Sequence, residues 1–254
     1  MNEHLYFHEI GQGPPLICLH AFALDHSIWL KMAEEMRNSV NLILPDLRGH
    51  GRSPAPEGKY SMRTMAEDVI RLIDSLKIEQ AWFAGHSMGG YITLALAEFF
   101  PERFLGLALV ASHAFADFPD KKKSRLEEIK KVERLPVPEV FSEMPNKLTE
   151  DPAVADYCRQ LISQTSRNGV MGVLAGMAER PDRISVLAEL KRPKMLIAGE
   201  EDQLIPMETD LDMVEKVSDL NLVRIKNAGH MPMMENPHDT ATAFISLIKN
   251  EEGK

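Results

Sequence analysis

The 254-residue sequence predicts an α/β protein, a mostly parallel, doubly wound sheet with an inserted helical lid. Two observations carry this expectation. Short apolar runs of strand length alternate with longer amphipathic runs of helical period, the pattern of parallel strands covered on both faces. The alternation is interrupted once, between about His113 and Leu187, by a stretch with no strand-like run, and strands of the same kind resume at Lys194. Composition agrees: 44% hydrophobic and 26% charged residues suit a chain that buries a sizeable core.

Taken in order, Leu5–Glu9 is expected to add an antiparallel edge strand, with Gly11–Gly13 as the turn. Leu16–Leu19 is a uniformly apolar strand, and Ser27–Met36 follows with helical spacing. Asn41–Leu44, Ala81–Ala84 and Gly106–Val110 are the next strands, with helices over Thr64–Leu76 and Met88–Phe99 between them. The lid is expected to hold a charged helix over Lys121–Arg134, a joint at Pro136 and Pro138, and helices over Asp151–Ser166 and Asn168–Ala178. Strand Lys194–Ala198, helix Asp210–Val217 and strand Asn221–Ile225 complete the sheet. The expected division is therefore a core of residues 1–112 and 188–254 with a lid of residues 113–187.

The net charge of −9, from 29 basic and 38 acidic side chains, argues against nucleic acid or an anionic membrane as the main partner. Two cysteines, Cys18 and Cys158, form no disulfide framework and fit a reducing compartment. No C-x-x-C or H-E-x-x-H spacing occurs, so neither a metal nor another cofactor is expected. The first ten residues lack a basic region followed by an apolar stretch, and no apolar run approaches the ~18 residues of a membrane span. The cytoplasm is the expected location. Oligomeric state has no signature here.

The strongest chemical signal lies in Ala81–Phe100. An apolar strand runs into Gly85-His86-Ser87-Met88-Gly89-Gly90, and a helical pattern follows at once. This is G-x-S-x-G in the strand–turn–helix setting that gives the motif meaning. A turn this sharp strains the serine, and side chains two residues to either side would collide with neighbouring backbone. Ser87 is left at a helix N-terminus, where N–H groups favour negative charge. A serine nucleophile needs a base and a group to orient that base. His230 follows strand Asn221–Ile225 across a short loop, and Asp202 lies three residues after Gly199, just past strand Lys194–Ala198. Both sit beyond carboxyl ends of strands, where open α/β sheets place their sites. Alone, each would sooner be read as a capping aspartate or a surface histidine. The chain order Ser87, Asp202, His230 joins them into a candidate triad.

The segments Leu16–Trp29, Leu44–Ser53, Gly85–Gly90, Leu196–Pro206 and Asn227–Pro237 together resemble the α/β-hydrolase superfamily of serine esterases and lipases. The resemblance implies a Ser87–His230–Asp202 triad. It also implies an oxyanion hole from the backbone N–H groups of Phe22 and Met88, and a lid that shapes the substrate pocket. One departure stands out. The family usually has His-Gly where this chain has His20-Ala21, and alanine does not tolerate positive φ as glycine does. Either the loop takes a negative-φ path or the Phe22 amide shifts. His20 is expected to brace loop backbone, and Asp46 and Arg48 to tie down the loop ending at Ser53. His86 occupies a variable slot of the turn.

The expected reaction is acyl transfer from a small or medium apolar carboxylic ester to water. The expected pocket is lined by Phe22, Met88 and Met231, with Met171, Leu174 and Met177 contributed by the lid. Ordinary core packing is the alternative for each lid residue. Two other functions stay open: a lyase or C–C bond hydrolase on the same triad, and a ligand receptor with little turnover. A serine at position 87 excludes the aspartate-nucleophile chemistry of haloalkane dehalogenases and epoxide hydrolases.

Overall fold

The structure, a computed structural model, describes residues 4–252. The strands are β1 (Phe7–Gly11), β2 (Pro15–Leu19), β3 (Asn41–Pro45), β4 (Ala81–His86), β5 (Phe104–Val110), β6 (Lys194–Gly199) and β7 (Leu220–Ile225). They form one sheet in the order β1-β3-β2-β4-β5-β6-β7, parallel throughout except where β1 pairs antiparallel with β3. Every residue of β4 and β6 is buried, because both faces of the central sheet are covered. Even Lys194 is buried at the head of β6, where its Nζ reaches Asp219 at 2.6 Å.

The helices of the core are α1 (Leu30–Met36), α2 (Met62–Ser75) and α3 (Met88–Phe99). The α2 N-terminus is fixed by Ser61, whose hydroxyl accepts from the Thr64 N–H at 3.0 Å. Its buried residues Met65, Val69, Leu72 and Ile73 recur at helical spacing. Between β5 and β6 lie six helices: α4 (Pro119–Val132), α5 (Val137–Val140), α6 (Met144–Leu148), α7 (Pro152–Gln164), α8 (Arg167–Ala178) and α9 (Ile184–Glu189). The inserted segment contains no strand. A buried ion-pair cluster steadies it, Asp117 pairing with Arg125 and, at 2.7 Å, with Arg180. The chain closes with α10 (Met207–Lys216), α11 (Pro232–Glu235) and α12 (Pro237–Glu252). Among the described residues no helix is long and apolar enough to cross a membrane.

The structure differs from expectation at several elements. The edge strand runs Phe7–Gly11 rather than Leu5–Glu9, so Gly11 lies in the strand and not in a turn. Its partner is β3, with Phe7 opposite Pro45, because both edges of β2 are taken by β3 and β4. The first turn expected within Ser27–Met36 is a 3-10 turn, His26–Trp29, capped by Asp25 through the Ser27 N–H. The C-terminal helix α12 has no expected counterpart. Its buried residues Thr240, Phe244 and Ile248 recur every four positions, but threonine and alanine between them dilute the apolar period. Cys18 in β2 and Cys158 in α7 are both free and buried. Burial pushes both thiols up, that of Cys158 to about 12.

Candidate active site

Ser87 joins β4 to α3 with φ 52 and ψ −112, a conformation outside the regions side chains ordinarily adopt. The surroundings hold it there. Its N–H donates to the Val110 carbonyl at 2.9 Å, and its own carbonyl accepts from Gly90 N–H at 2.9 Å and Ser112 Oγ at 2.7 Å. The flanking glycines are forced by contact. A Cβ at Gly85 would fall onto the Gly89 backbone, and a Cβ at Gly89 onto the Leu19 carbonyl at the end of β2. Sequence, turn and sheet packing are therefore a single constraint, and it leaves Ser87 half-buried at the head of α3.

Asp202 lies in the turn after β6. Its Oδ1 accepts from the N–H groups of Leu204 at 2.8 Å and Ile205 at 3.0 Å, and its Oδ2 lies 2.8 Å from His230 Nδ1. Burial works to raise the Asp202 pKa, but the His230 hydrogen bond, the histidine charge and the two amides outweigh it and hold the carboxyl below its ordinary value. The His230 ring is buried, with Nδ1 committed to Asp202, which leaves Nε2 to face a nucleophile. The Asp202–His230 pair is thus closed. Among the described residues no hydrogen bond yet joins Ser87 Oγ to His230 Nε2; such contacts commonly tighten only when substrate binds.

Four residues without a catalytic signature in the sequence hold the His230 loop. The His230 N–H donates to the Leu148 carbonyl at 3.0 Å. The His230 carbonyl accepts from His86 Nε2 at 2.7 Å, and the two rings lie 5.1 Å apart. Glu235 Oε2 accepts from the N–H groups of Gly229 at 2.8 Å and Met231 at 3.0 Å, while Thr149 donates its hydroxyl to Glu235 Oε1. Burial, with the neighbouring His230 charge adding to it, drives the His86 pKa well below its ordinary value, so His86 is a neutral donor. These contacts span up to 144 positions in sequence, so no local pattern announces them.

The loop after β2 is braced as the sequence suggests. His20 Nδ1 lies 2.8 Å from the Ala21 carbonyl, and its Nε2 accepts from the Leu47 N–H at 2.9 Å, which places the proton on Nδ1. Burial pushes its pKa down to about 4. Ala21 avoids positive φ; the left-handed residue is instead Ala23, at φ 58. Among the described residues neither the Phe22 nor the Met88 N–H donates to a protein acceptor. The Phe22 ring packs edge-on against Phe141, just after α5, at 5.3 Å, and Thr165 after α7 donates to the Ala23 carbonyl at 3.0 Å. The inserted segment thus sits directly on this loop. Asp46 ties the next loop through His26 at 2.6 Å and the Arg52 N–H at 2.8 Å, and Arg48 pairs with Asp68. Asp25, His26 and Asp46 bring potential metal-ligand atoms together, but those of Asp46 are already engaged in these bonds.

Met88, Leu174, Met177 and Met231 are buried and Met171 is half-buried, all within or against the apolar core. A groove of about 960 Å³ between β6, β7 and α12, and a hollow of about 260 Å³ between α2, α3 and α8, have no Ser87 in their walls. Neither has Asp202 or His230 in its walls either.

A family model described as alpha/beta hydrolase fold matches residues 14–237. The 3-oxoadipate enol-lactonase 2 of Acinetobacter baylyi is 26% identical, covering 96% of this chain and 93% of its own length. A 2-hydroxymuconate semialdehyde hydrolase from a Pseudomonas species is 27% identical, covering 95% and 87%. Among solved structures, a thermophilic esterase from Thermogutta terrifontis with malate bound superposes with a TM-score of 0.94 at 32% identity, over 97% of this chain and 93% of its own.

Proposed function

Since the chain belongs to the α/β-hydrolase family, we propose that it hydrolyses a small or medium carboxylic ester of apolar character through an acyl-enzyme on Ser87. The observation that carries the reading is the Asp202–His230 pair, closed at 2.8 Å, with the His230 carbonyl bonded to His86, the residue just before a strained serine at a helix N-terminus. In this reading His230 Nε2 takes the Ser87 proton as Oγ attacks the ester carbonyl. Asp202 keeps the imidazole in its Nδ1–H tautomer and stabilises the cation that forms. The free N–H groups of Phe22 and Met88 receive the oxyanion, where one such donor is worth about 3 kcal/mol of barrier. His230 then protonates the departing alcohol and activates water to release the acid.

The pocket in this reading is apolar, with Phe22, Met88 and Met231 from the core and Met171, Leu174 and Met177 from the inserted helices. Methionine lets such a lining adapt to several acyl shapes. Thermogutta esterase, at 32% identity, supports an ester, and the enol-lactonase relative extends it to lactones, which are cyclic esters. Ser87→Ala should abolish turnover of a p-nitrophenyl short-chain ester while leaving the melting temperature unchanged, and a fluorophosphonate probe should label Ser87. Retained turnover, or labelling elsewhere, removes Ser87 from the mechanism. The substrate in the semialdehyde hydrolase relative's name carries no ester, which favours a second reading, hydrolysis of a C–C bond on the same residues. Product analysis with an ester and a vinylogous diketone separates the two.

A further inference from the structure

The three consecutive amides around the candidate base are held by two acceptors, the Leu148 carbonyl and the Glu235 carboxylate, and both holds lead to the inserted segment. His230 N–H donates to the carbonyl of Leu148, the last residue of α6. Gly229 and Met231 N–H both donate to Glu235 Oε2, at 2.8 and 3.0 Å. The other oxygen of that carboxylate is bonded to the hydroxyl of Thr149. Thr149 is itself oriented, because its Oγ1 accepts the Asp151 N–H at 3.0 Å and so turns its proton toward Glu235. Asp151 in turn caps α7 through the N–H groups of Ala153 and Val154. A chain of bonds therefore runs from the α7 N-terminus through Thr149 and Glu235 to either side of His230.

We propose that Glu235 is a positioning residue that couples the seating of the inserted helices to the placement of the general base. The inference rests on the reading of His230 as that base. With the insertion seated, Leu148 and Thr149 hold the loop and Nε2 is presented to Ser87. If the α6–α7 junction lifts, the Leu148 carbonyl and the Thr149 hydroxyl leave together. The middle amide is then released, and the carboxylate that holds the outer two is freed to turn. The base is competent only under a closed insertion.

Four variants of the full chain test this with a p-nitrophenyl short-chain ester, kcat and KM being measured separately beside the melting temperature. Glu235→Leu keeps bulk and removes every acceptor. Glu235→Gln removes the charge and keeps an oxygen for the two amides, while its NH2 turns the Thr149 contact round, the Thr149 hydroxyl then accepting instead of donating. Thr149→Val cuts the link to the insertion, and Thr149→Ser restores it. A base misplaced by about 1 Å costs on the order of 100-fold, so Glu235→Leu should lose roughly that in kcat with KM within about twofold. Thr149→Val should lose about tenfold in kcat, and Glu235→Gln and Thr149→Ser should stay within about threefold of the parent. Thr149→Val with parental kcat overturns the coupling, as does Glu235→Gln as damaged as Glu235→Leu, or a loss that falls on KM. Should Glu235→Leu fail to fold, the Thr149 pair decides alone. Fluorophosphonate labelling of the parent at a residue other than Ser87 sinks the catalytic reading whatever these variants do. Labelling at Ser87 with Thr149→Val unaffected sinks only the coupling.

Discussion

Ser87 and His230 stand at the ends of β4 and β7, and the protein holds them by opposite means. The serine turn is held by exclusion: Gly85 and Gly89 have no side chain because backbone already fills that space. The histidine loop is held by hydrogen bonds, from Glu235, His86 and Leu148 to its successive peptide groups. Exclusion is unforgiving of added volume and indifferent to charge. A hydrogen-bonded clamp tolerates shape change and fails when a donor or acceptor is removed. The candidate nucleophile thus stands on a rigid strained turn, and the candidate base on a loop held by neighbouring elements.

The largest effect that sharpens this contrast is expected on the polar side. Asp202→Asn leaves the shape of the loop intact but offers the imidazole a donor, so kcat should fall on the order of 10⁴-fold with the melting curve little changed. A modest loss would mean the histidine keeps its tautomer by other means. On the steric side, Gly89→Ala drives a methyl into the Leu19 carbonyl, where neither strand nor helix yields. A destabilisation of about 3 kcal/mol in chemical denaturation is expected, and parental stability would break the exclusion argument. His86→Phe preserves ring volume and removes the donor to the His230 carbonyl, which should cost about tenfold in kcat. An equal loss in His86→Gln, which keeps a donor, would show that the ring and not the hydrogen bond matters.

The smallest expected effect is a pH dependence of stability. Burial pushes His20 down to about 4, His50 to about 3, His113 to about 4, and His86 well below its ordinary 6.5. As pH falls from about 6.5 toward about 4 the unfolded chain binds protons at these four positions that the fold refuses, so stability drops across that window. Asp210, pushed up to about 7 by burial and the nearby Asp202 charge, and Glu235, raised by burial, run the other way. They keep protons in the fold that the unfolded chain has lost. Four positions that take up protons on unfolding outweigh two that release them, so unfolding near pH 5 binds protons on balance. Calorimetry should show the melting temperature falling from pH 7 to pH 5; a rise would mean that the buried histidines are charged in the fold.

The same contrast explains what could be read from residues alone. Ser87 was legible because exclusion acts between near neighbours, so its cause and its effect lie within a few positions of sequence. Asp202 and His230 were legible from their places beyond β6 and β7, and the structure brings them to 2.8 Å. The clamp was not legible, because Thr149 and Glu235 lie 86 positions apart and neither is unusual where it stands. His86 looked like filler for a variable slot, although its partner is a backbone carbonyl, which any residue supplies. In the fold, the buried strands are read from apolar runs, whereas α12 hides its period behind threonine and alanine, and β1 pairs with the free edge of β3 and not with its sequence neighbour β2. Ala21 posed a conformational question that the loop answers two residues later, at Ala23.

The two cysteines have a use that their chemistry disguises. Cys18 sits in β2 under the sheet's helices and Cys158 in α7 of the insertion; both are buried, and their raised thiols are almost wholly protonated at neutral pH. A thiolate-seeking reagent is therefore silent toward the native protein and reacts with each sulfur only while its own region is open. One natural clock is set in the core and another in the helices above it. Mass spectrometry of timed alkylation reads both from a single unlabelled sample. Cys158 marked well before Cys18 would time the lifting of the helices from a sheet that stays shut, and simultaneous marking would show that the two parts come apart as one.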